Sequence, residues 1–285
     1  MKNLFAVTAL VASMTLTGCA SMSAPYEYQE SHSEAYNIAR AGGLVQDIED
    51  TEVPANKLGS ITESMANVGF VSAGYMKPQL GMTSWQTVGV NALSILSEPD
   101  SHGARNSMMA WMPMEEAKSQ QAAQEEFLSH VKVAVADALN DMGATHETIY
   151  DRKGTVVVHF INNDWDCPAY EKGVTDLEDL CQVRFQVYEP RTAPAPSFIT
   201  QTNTGEERYV FSSGHGRKYH RLNLLVNDNS SVPESELYAN ISKGMPDWSY
   251  LYLAPGKVKT GEGKTIEYPY ILNQGKAELF LIPKS

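Results

Sequence analysis

Residues 115–143 read EEAKSQQAAQEEFLSHVKVAVADALNDMG, and they decide the fold class of this chain. Apolar side chains recur along them at helical spacing, which predicts one long helix from about Glu115 to Met142. Its apolar positions are Phe127, Val131, Val135, Ala138 and Met142. Two glutamates in the first turn suit the positive end of the helix dipole, and Gly143 is placed to end the helix.

The chain changes character after this helix, where short β-branched and alternating segments replace the helical pattern. Residues 155–161, TVVVHFI, predict a strand, and in residues 181–189, CQVRFQVYE, the alternation places Val183, Phe185 and Val187 on one face. Gly, Pro, Asn and Asp clusters bound the remaining strand candidates, which are SMMAWMPM, RYVFSS, YHRLNLLV, DWSYLYLA, IEYPYIL and KAELFLIP. This order predicts an α+β fold, with a mostly antiparallel sheet covered on one face by one long helix.

The first 18 residues, MKNLFAVTALVASMTLTG, have the organisation of a secretory signal peptide. Lys2 precedes an uncharged, mostly apolar stretch from Leu4 to Leu16, and small residues follow it. About 13 residues in a helix rise only about 20 Å, well short of the roughly 30 Å hydrocarbon layer of a bilayer. A permanent transmembrane span is therefore disfavoured.

Residues 16–19, Leu-Thr-Gly-Cys, end this segment and resemble the lipobox of bacterial lipoproteins. In that family the cysteine thiol receives a diacylglyceryl group, the peptide is cut just before the cysteine, and the new amine is acylated, with palmitate the expected chain. The resemblance implies that Cys19 is lipidated and begins the mature chain. The alternative is an ordinary signal peptide that is cut at a nearby site, with Cys19 incidental.

The same resemblance implies a location for the mature protein. The residue directly after Cys19 is Ala20 and not an aspartate. In lipoproteins of enteric-type bacteria this favours transfer to the outer membrane. We therefore expect a Gram-negative outer-membrane lipoprotein that faces the periplasm and reaches the membrane through its N-terminal lipid. Two or more acyl chains hold a protein on a bilayer, whereas one chain gives only marginal binding.

Two further cysteines, Cys167 and Cys181, remain once Cys19 is assigned to the lipid. An even pair in an oxidising periplasm predicts a disulfide bond between them. The alternatives are a metal thiolate pair or a redox couple, although neither a CxxC spacing nor a nearby histidine accompanies the two residues.

The net charge of the chain makes some classes of ligand unfavourable. The 285 residues carry a formal net charge of −12, and removal of residues 1–18 takes away one further positive charge, that of Lys2. A body this acidic repels nucleic acid and anionic lipid headgroups, so we expect neither as a ligand.

Four regions are predicted along the chain from these patterns. The segment from 60 to 97 is uncharged for its length and contains helical pieces broken at Lys77-Pro78 and Gly81, which either fold onto the main domain or contact lipid or a partner. The regions are 1–18, the signal peptide; 19–59, a tether and polar, partly helical N-terminal segment; 60–105, an apolar, partly helical region; and 106–285, the α+β periplasmic domain.

One basic stretch is a candidate anion site. Residues 213–220, SGHGRKYH, place His215, Arg217, Lys218 and His220 in a glycine-rich segment. Cations and glycine N–H groups suit a phosphate or a carboxylate, whereas the positive charges would repel a metal ion. The alternatives are a basic hairpin turn and, through the two histidines, a metal site or a general base.

Two other clusters are considered as metal sites, and neither is assigned one. Acidic residues crowd the segment from 164 to 179, but their spacing does not match an EF-hand, and a solvated loop is favoured. Met108, Met109, Met112 and Met114 surround Trp111 and would suit Cu(I), but methionine is common in protein cores, and a core or edge strand is favoured. No metal and no cofactor is predicted.

The sequence contains no recognisable catalytic motif. GxSxG is missing, and SxxK occurs once, at Ser129–Lys132 inside the predicted long helix. A Ser-His-Asp set would have to assemble in space from Ser212 or Ser213 with His215 and a remote acid. No catalytic residue is therefore assigned, and an enzyme is the less favoured class.

These observations lead to two hypotheses about function. The first is a non-catalytic, lipid-anchored component that binds or scaffolds an envelope protein through strand edges and aromatic surface, with Trp248, Tyr250 and Tyr252 as an exposed row. The second is a hydrolase or glycan-binding module that acts on cell-wall or surface polymers, for which a cleft with converging His and acidic residues would be needed.

Overall fold

The structure is a computed structural model. It describes residues 25–59, 101–170, 180–200, 205–214, 218–227, 230–259 and 265–284. The predicted signal peptide, Cys19 and residues 60–100 of the predicted apolar region lie outside these ranges. None of the helices within the described ranges is both long enough and apolar enough to cross a membrane.

The long helix is confirmed, with a later start than predicted. It runs over Gln120–Asp141, and residues Met114–Glu116 form a separate short 3-10 turn. The side-chain oxygen of Ser119 accepts the backbone N–H of Ala122 at 3.1 Å, and this cap fixes the first turn of the helix. Three more helices lie wholly within the described ranges, so that these helices in chain order are α1 (Glu34–Ala41), α2 (Gln120–Asp141), α3 (Ser197–Thr200) and α4 (Glu234–Gly244). Residues 55–59 are also helical.

The α+β fold class with mostly antiparallel pairing is confirmed, and each predicted strand segment forms a strand. The bounds of the strands are β1 (Thr51–Pro54), β2 (Ser107–Pro113), β3 (Thr145–Arg152), β4 (Thr155–Ile161), β5 (Gln182–Gln186), β6 (Arg191–Pro194), β7 (Glu207–Phe211), β8 (Arg221–Leu225), β9 (Ser249–Lys259), β10 (Thr265–Asn273), β11 (Lys276–Leu279) and β12 (Leu281–Lys284). Strands β1, β3 and β6 were not predicted, and the segment KAELFLIP forms two strands, β11 and β12.

These strands form more than one sheet. A six-stranded antiparallel sheet has the order β11-β10-β9-β2-β7-β6, and a four-stranded antiparallel sheet has the order β3-β4-β5-β8. Strands β1 and β12 form a small parallel pair. The N-terminal strand β1 is therefore hydrogen-bonded to the last strand of the chain.

The described helices cover the six-stranded sheet on both faces. Helices α2 and α4 pack on one face and share a hydrophobic cluster with the inner face of the four-stranded sheet, in which Phe127, Phe160 and Phe185 are buried. Helix α1 lies against the opposite face, where Ile38 packs with Trp111. The predicted single covering helix thus has a partner, α4, on the same face, and α1 lies behind the sheet.

The disulfide between Cys167 and Cys181 is present, with an S–S distance of 2.01 Å. Cys167 follows β4 and Cys181 immediately precedes β5, and these two strands are neighbours in the four-stranded sheet. The bond therefore closes the connection between adjacent strands, as the sequence predicted.

Candidate functional site

The four-stranded sheet has two different faces. Its inward side chains, such as Val158, Val183 and Leu222, belong to the hydrophobic core. By strand alternation the opposite side chains lie on the second face, which we call the open face; they are half-buried, apart from His159 and Gln182, which are buried. The open face consists of Thr155, Val157, His159 and Ile161 on β4, Gln182, Arg184 and Gln186 on β5, and Arg221, Asn223 and Leu225 on β8.

Among the described residues, no apolar side chain of the open face belongs to either hydrophobic cluster. The face is instead rich in amide and guanidinium groups. Such groups donate and accept hydrogen bonds, so this surface suits a polar or charged binding partner better than an apolar one.

Arg184 lies at the centre of the open face. Its Nε and Nη2 atoms both donate to Oε1 of Gln182, at 3.0 and 2.8 Å. None of the ion pairs among the described residues involves Arg184. Partial burial lowers the pKa of its guanidinium group, which shows that water solvates the charge incompletely.

Arg221 is close to Arg184 on the neighbouring strand. Arg221 is opposite Gln186, and Arg184 is opposite Asn223, so the two arginines are diagonal neighbours on the same face. Such neighbours lie about 7–8 Å apart. Burial also lowers the pKa of Arg221. The guanidinium group of Arg184, which forms no ion pair among the described residues, is the group on this face that favours the approach of an anion.

A buried histidine lies at the other end of the open face. His159 is fully buried, and because a carbonyl can only accept, its Nε2 donates to the carbonyl oxygen of Pro168 at 3.1 Å. Its Nδ1 lies 3.5 Å from Oε1 of Glu147 and has no hydrogen-bond partner within the described structure. His159 therefore ties the strand to the segment after Cys167.

A groove separates part of α2 from α4 on the opposite side of the molecule. The helices touch where Gly244 faces Ala134 and diverge toward the end of α2 and the beginning of α4. The resulting groove has a volume of about 740 Å³. We call it the helix groove; its polar and aromatic lining comprises Asp137, Asp141, Glu236, Asn240, Lys243 and Trp165.

The structure describes the predicted anion site only in part. His215 and Arg217 lie outside the described residues, so the site stays a prediction. Lys218 is exposed, whereas His220 is buried, and its Nδ1 accepts the backbone N–H of Tyr188 at 3.2 Å. Burial lowers the pKa of His220 to about 3, so its ring is neutral at physiological pH and adds no positive charge.

The two serines considered as nucleophiles are bonded to the backbone. Ser212 Oγ donates to the carbonyl oxygen of Gly42 at 2.9 Å, and Ser213 Oγ donates to that of Met108 at 2.5 Å. These hydroxyl groups hold loops together, and neither bonds to the ring of a described histidine; Ser213 Oγ also lies 3.3 Å from the backbone carbonyl oxygen of His220. His102 is used in a similar way, since its Nδ1 accepts the backbone N–H of Val45 at 2.8 Å.

The methionine cluster is core packing. Met108 and Met112 face the cluster formed with α2, while Met109 faces the cluster formed with α1, so their thioethers lie on opposite sides of β2. Only residues 164–170 of the acidic segment are described. Within the described part of the chain, no group of three or more His, Cys, Asp or Glu side chains is placed to hold a metal ion.

The proposed exposed aromatic row is wrong. Tyr252 is fully buried and donates its hydroxyl to the carbonyl oxygen of Gly103 at 2.9 Å. Trp248 and Tyr250 are half-buried against the two hydrophobic clusters. Strand β9 is a central strand covered on both faces by helices, so none of its side chains in this segment forms an open surface.

Sequence reasoning identified Arg184 only as a residue on the polar face of a predicted strand, and Arg221 only as a positive charge beside the candidate anion site. Nothing in their spacing showed that β5 and β8 would be neighbours. The residues of the helix groove were not identified, since they come from two helices of which one was not predicted. No protein-family model, no curated protein and no solved structure matches this chain.

Proposed function

We propose that this chain is a lipid-anchored, periplasm-facing envelope lipoprotein that binds a protein partner without catalysing a reaction. The lipid on Cys19 would hold it at the outer membrane, and the open face would contact an acidic segment of the partner. The observation that carries this proposal is the position of Arg184, half-buried on the open face and bonded to an amide oxygen.

The physical basis is the incomplete solvation of Arg184. A carboxylate accepts two parallel hydrogen bonds from one guanidinium group, and such bonds are stronger than bonds to an amide. An acidic segment on the open face would therefore replace the contact of Arg184 with Gln182. The amide groups of Gln186 and Asn223 would bond to its backbone.

Photo-crosslinking in intact cells tests the binding role. A photoreactive residue in place of Asn223 is expected to give a defined adduct with an envelope protein, and one in place of the exposed Arg191 on β6 is the matched control. The additional change Arg184→Glu should abolish the adduct because it reverses the charge. An adduct that survives Arg184→Glu, or no adduct from position 223, would contradict the proposal.

Fractionation tests the anchor separately. Cys19→Ser is expected to release the protein from membranes, because the acyl chains supply the binding energy. Ser21→Ala is the control, since it leaves the lipobox intact and should stay membrane-bound. A Cys19→Ser protein that sediments with the outer membrane would refute the lipid anchor and leave the open face to be judged by crosslinking.

The helix groove supports a second candidate function, a glycan-binding module. Trp165 offers an aromatic surface, while Asp137, Glu236 and Asn240 offer groups that accept or donate bonds to sugar hydroxyls. Its volume lies in the range of small-molecule sites. Calorimetric titration with soluble cell-wall glycan fragments tests this function: binding that is lost on Glu236→Gln supports it, and an absence of heat from the unchanged protein rejects it.

A further inference from the structure

Strand β3 forms one edge of the four-stranded sheet. Among the described residues it pairs with β4 on one side, and no strand pairs with its other side. Seven of its eight residues are exposed. Ile149 is 47 % exposed and Tyr150 is 45 % exposed, which is unusual for side chains of this size at an edge.

A bulge in the middle of β3 sets the direction of its charged side chains. Thr148 pairs with Val158 and Tyr150 pairs with Val157, which leaves Ile149 as an extra residue. In a regular strand, side chains five positions apart face opposite sides of the sheet. The extra residue in the bulge moves each side chain after it to the face opposite the one it would have in a regular strand.

Glu147 and Arg152 consequently lie on the same face. Glu147 is opposite His159 and Arg152 is opposite Thr155, and these two residues of β4 share one face of the sheet. Of the remaining charges on the strand, Asp151 forms an ion pair with Lys132 of α2 at 2.5 Å. The charges on the free edge are therefore one glutamate and one arginine, placed symmetrically about Ile149 and Tyr150.

This pattern is complementary to itself. When two β3 strands lie antiparallel about an axis between Ile149 and Tyr150, Glu147 of each copy is opposite Arg152 of the other. The exposed Ile149 and Tyr150 side chains meet at the centre, and Thr148 is opposite Asp151, so that no like charges face each other. Opposite-charge and aromatic–aliphatic cross-strand pairs both stabilise antiparallel sheets.

We propose that a second copy of this chain pairs with β3 along this edge and forms a two-fold symmetric dimer. The four-stranded sheet would continue across the axis into that of the second copy, and the two Glu147–Arg152 pairs would fix the register. A twofold axis requires the same strand to supply both halves of the interface, which a self-complementary strand does. A strand edge with its own partner is also protected from unspecific pairing.

Charge reversal tests the register directly in the full-length lipidated chain. Sedimentation equilibrium in density-matched detergent is expected to show a monomer–dimer equilibrium for the unchanged protein. Glu147→Arg alone and Arg152→Glu alone should each weaken association by about ten-fold or more, because like charges then face each other. The double variant carries both changes and should associate to within about three-fold of the unchanged protein.

Glu125→Arg, a charge reversal on the exposed side of α2, is the matched control and should not change association. A protein that stays monomeric at all concentrations would overturn the proposal. Single variants that associate as the unchanged protein does, or a double variant no better than the single ones, would also overturn it.

Crosslinking provides a measurement that does not depend on charge. Cysteines at positions 147 and 152 of the same chain should form an intermolecular disulfide under mild oxidation, since opposite residues lie about 4.5–5.5 Å apart between Cβ atoms. Either cysteine alone should not crosslink, because each then lies far from its own copy. Equal crosslinking by the single variants would contradict this register.

Discussion

The backbone N–H of Met108 donates to the carbonyl oxygen of His220 over 2.8 Å, and this bond joins strand β2 to the residue before β8. The hydroxyl of Ser213 donates to the carbonyl oxygen of Met108 from the same place. The six-stranded and four-stranded sheets therefore meet at a buried point next to the ring of His220.

Acid is expected to destabilise the protein through His220. Burial lowers the pKa of His220 in the folded state to about 3, below its ordinary value of 6.5. The stability that the neutral ring contributes is present at neutral pH and is lost as pH falls below 6.5, at a slope of up to about 1.4 kcal/mol per pH unit. His220→Asn should flatten this slope in denaturant unfolding between pH 4 and 7, whereas His130→Asn on α2 should keep it. An unchanged slope in His220→Asn would contradict the prediction.

Glu234 is expected to act in the opposite pH range. Burial raises the pKa of this carboxyl from 4.5 to about 7. Its protonated form stabilises the fold fully below pH 4.5, and this stabilisation is lost as pH rises toward and through about 7. Glu234→Gln should therefore raise the free energy of unfolding by roughly 2 kcal/mol at pH 8 and by little at pH 4.5.

Glu236→Gln is the matched control for Glu234, since both residues lie in the first turn of α4. Each substitution removes one negative charge near the positive end of the helix dipole, which costs a few tenths of a kcal/mol. If Glu236→Gln raised the free energy of unfolding at pH 8 by as much as Glu234→Gln does, the burial of Glu234 would not be the cause of the increase.

Gly103 is expected to tolerate no side chain. Its N–H donates to the carbonyl oxygen of Gln46 at 3.0 Å, and a Cβ atom at this position would lie 2.1 Å from the carbonyl oxygen of Asp47. Gly103→Ala must displace one of these two backbone segments and should cost about 1–3 kcal/mol in thermal or denaturant unfolding. Gly59→Ala, where nothing lies within 4 Å of the added atom, should cost much less.

The disulfide is expected to contribute to stability through the unfolded chain. Cys167 and Cys181 are separated by 14 positions, and in the chain-entropy model a loop of this size contributes about 3 kcal/mol. The double change to alanine should lower the free energy of unfolding by about that amount at pH 7. A reductant should lower the unfolding midpoint of the unchanged protein and should not change the midpoint of the double variant.

Most strands were predicted because their own sequences carry a strand signal; β1, β3 and β6, which lack a regular apolar alternation, were not. Residues 155–161 are β-branched, and the alternation of Val183, Phe185 and Val187 sets their burial. Helix α4 was missed because small polar residues fill part of its buried face; Ser235 and Ser242 are buried there beside Leu237 and Ile241. Because close packing against α2 uses small polar residues as well as apolar ones, the apolar periodicity in the sequence of α4 is weak.

The candidate surfaces could not be predicted because they depend on which strands become neighbours. Arg184 and Arg221 are 37 positions apart in the chain and come together only through the pairing of β5 with β8. The same holds for the aromatic row of β9, which alternation alone placed on a surface. Tyr252 is instead buried, because α1 packs on that face of the sheet, which no local sequence pattern marks as covered.

The amino-acid sequence by itself determined the α+β class, the long helix α2, the positions of most strands and the pairing of Cys167 with Cys181. These features follow from local periodicity, turn residues and an even number of remaining cysteines. Tertiary structure alone decided the division into two larger sheets, the neutral buried state of His220 and the placement of Arg184 beside Arg221. Burial and charge solvation depend on contacts between distant segments, and a linear pattern contains no record of those contacts.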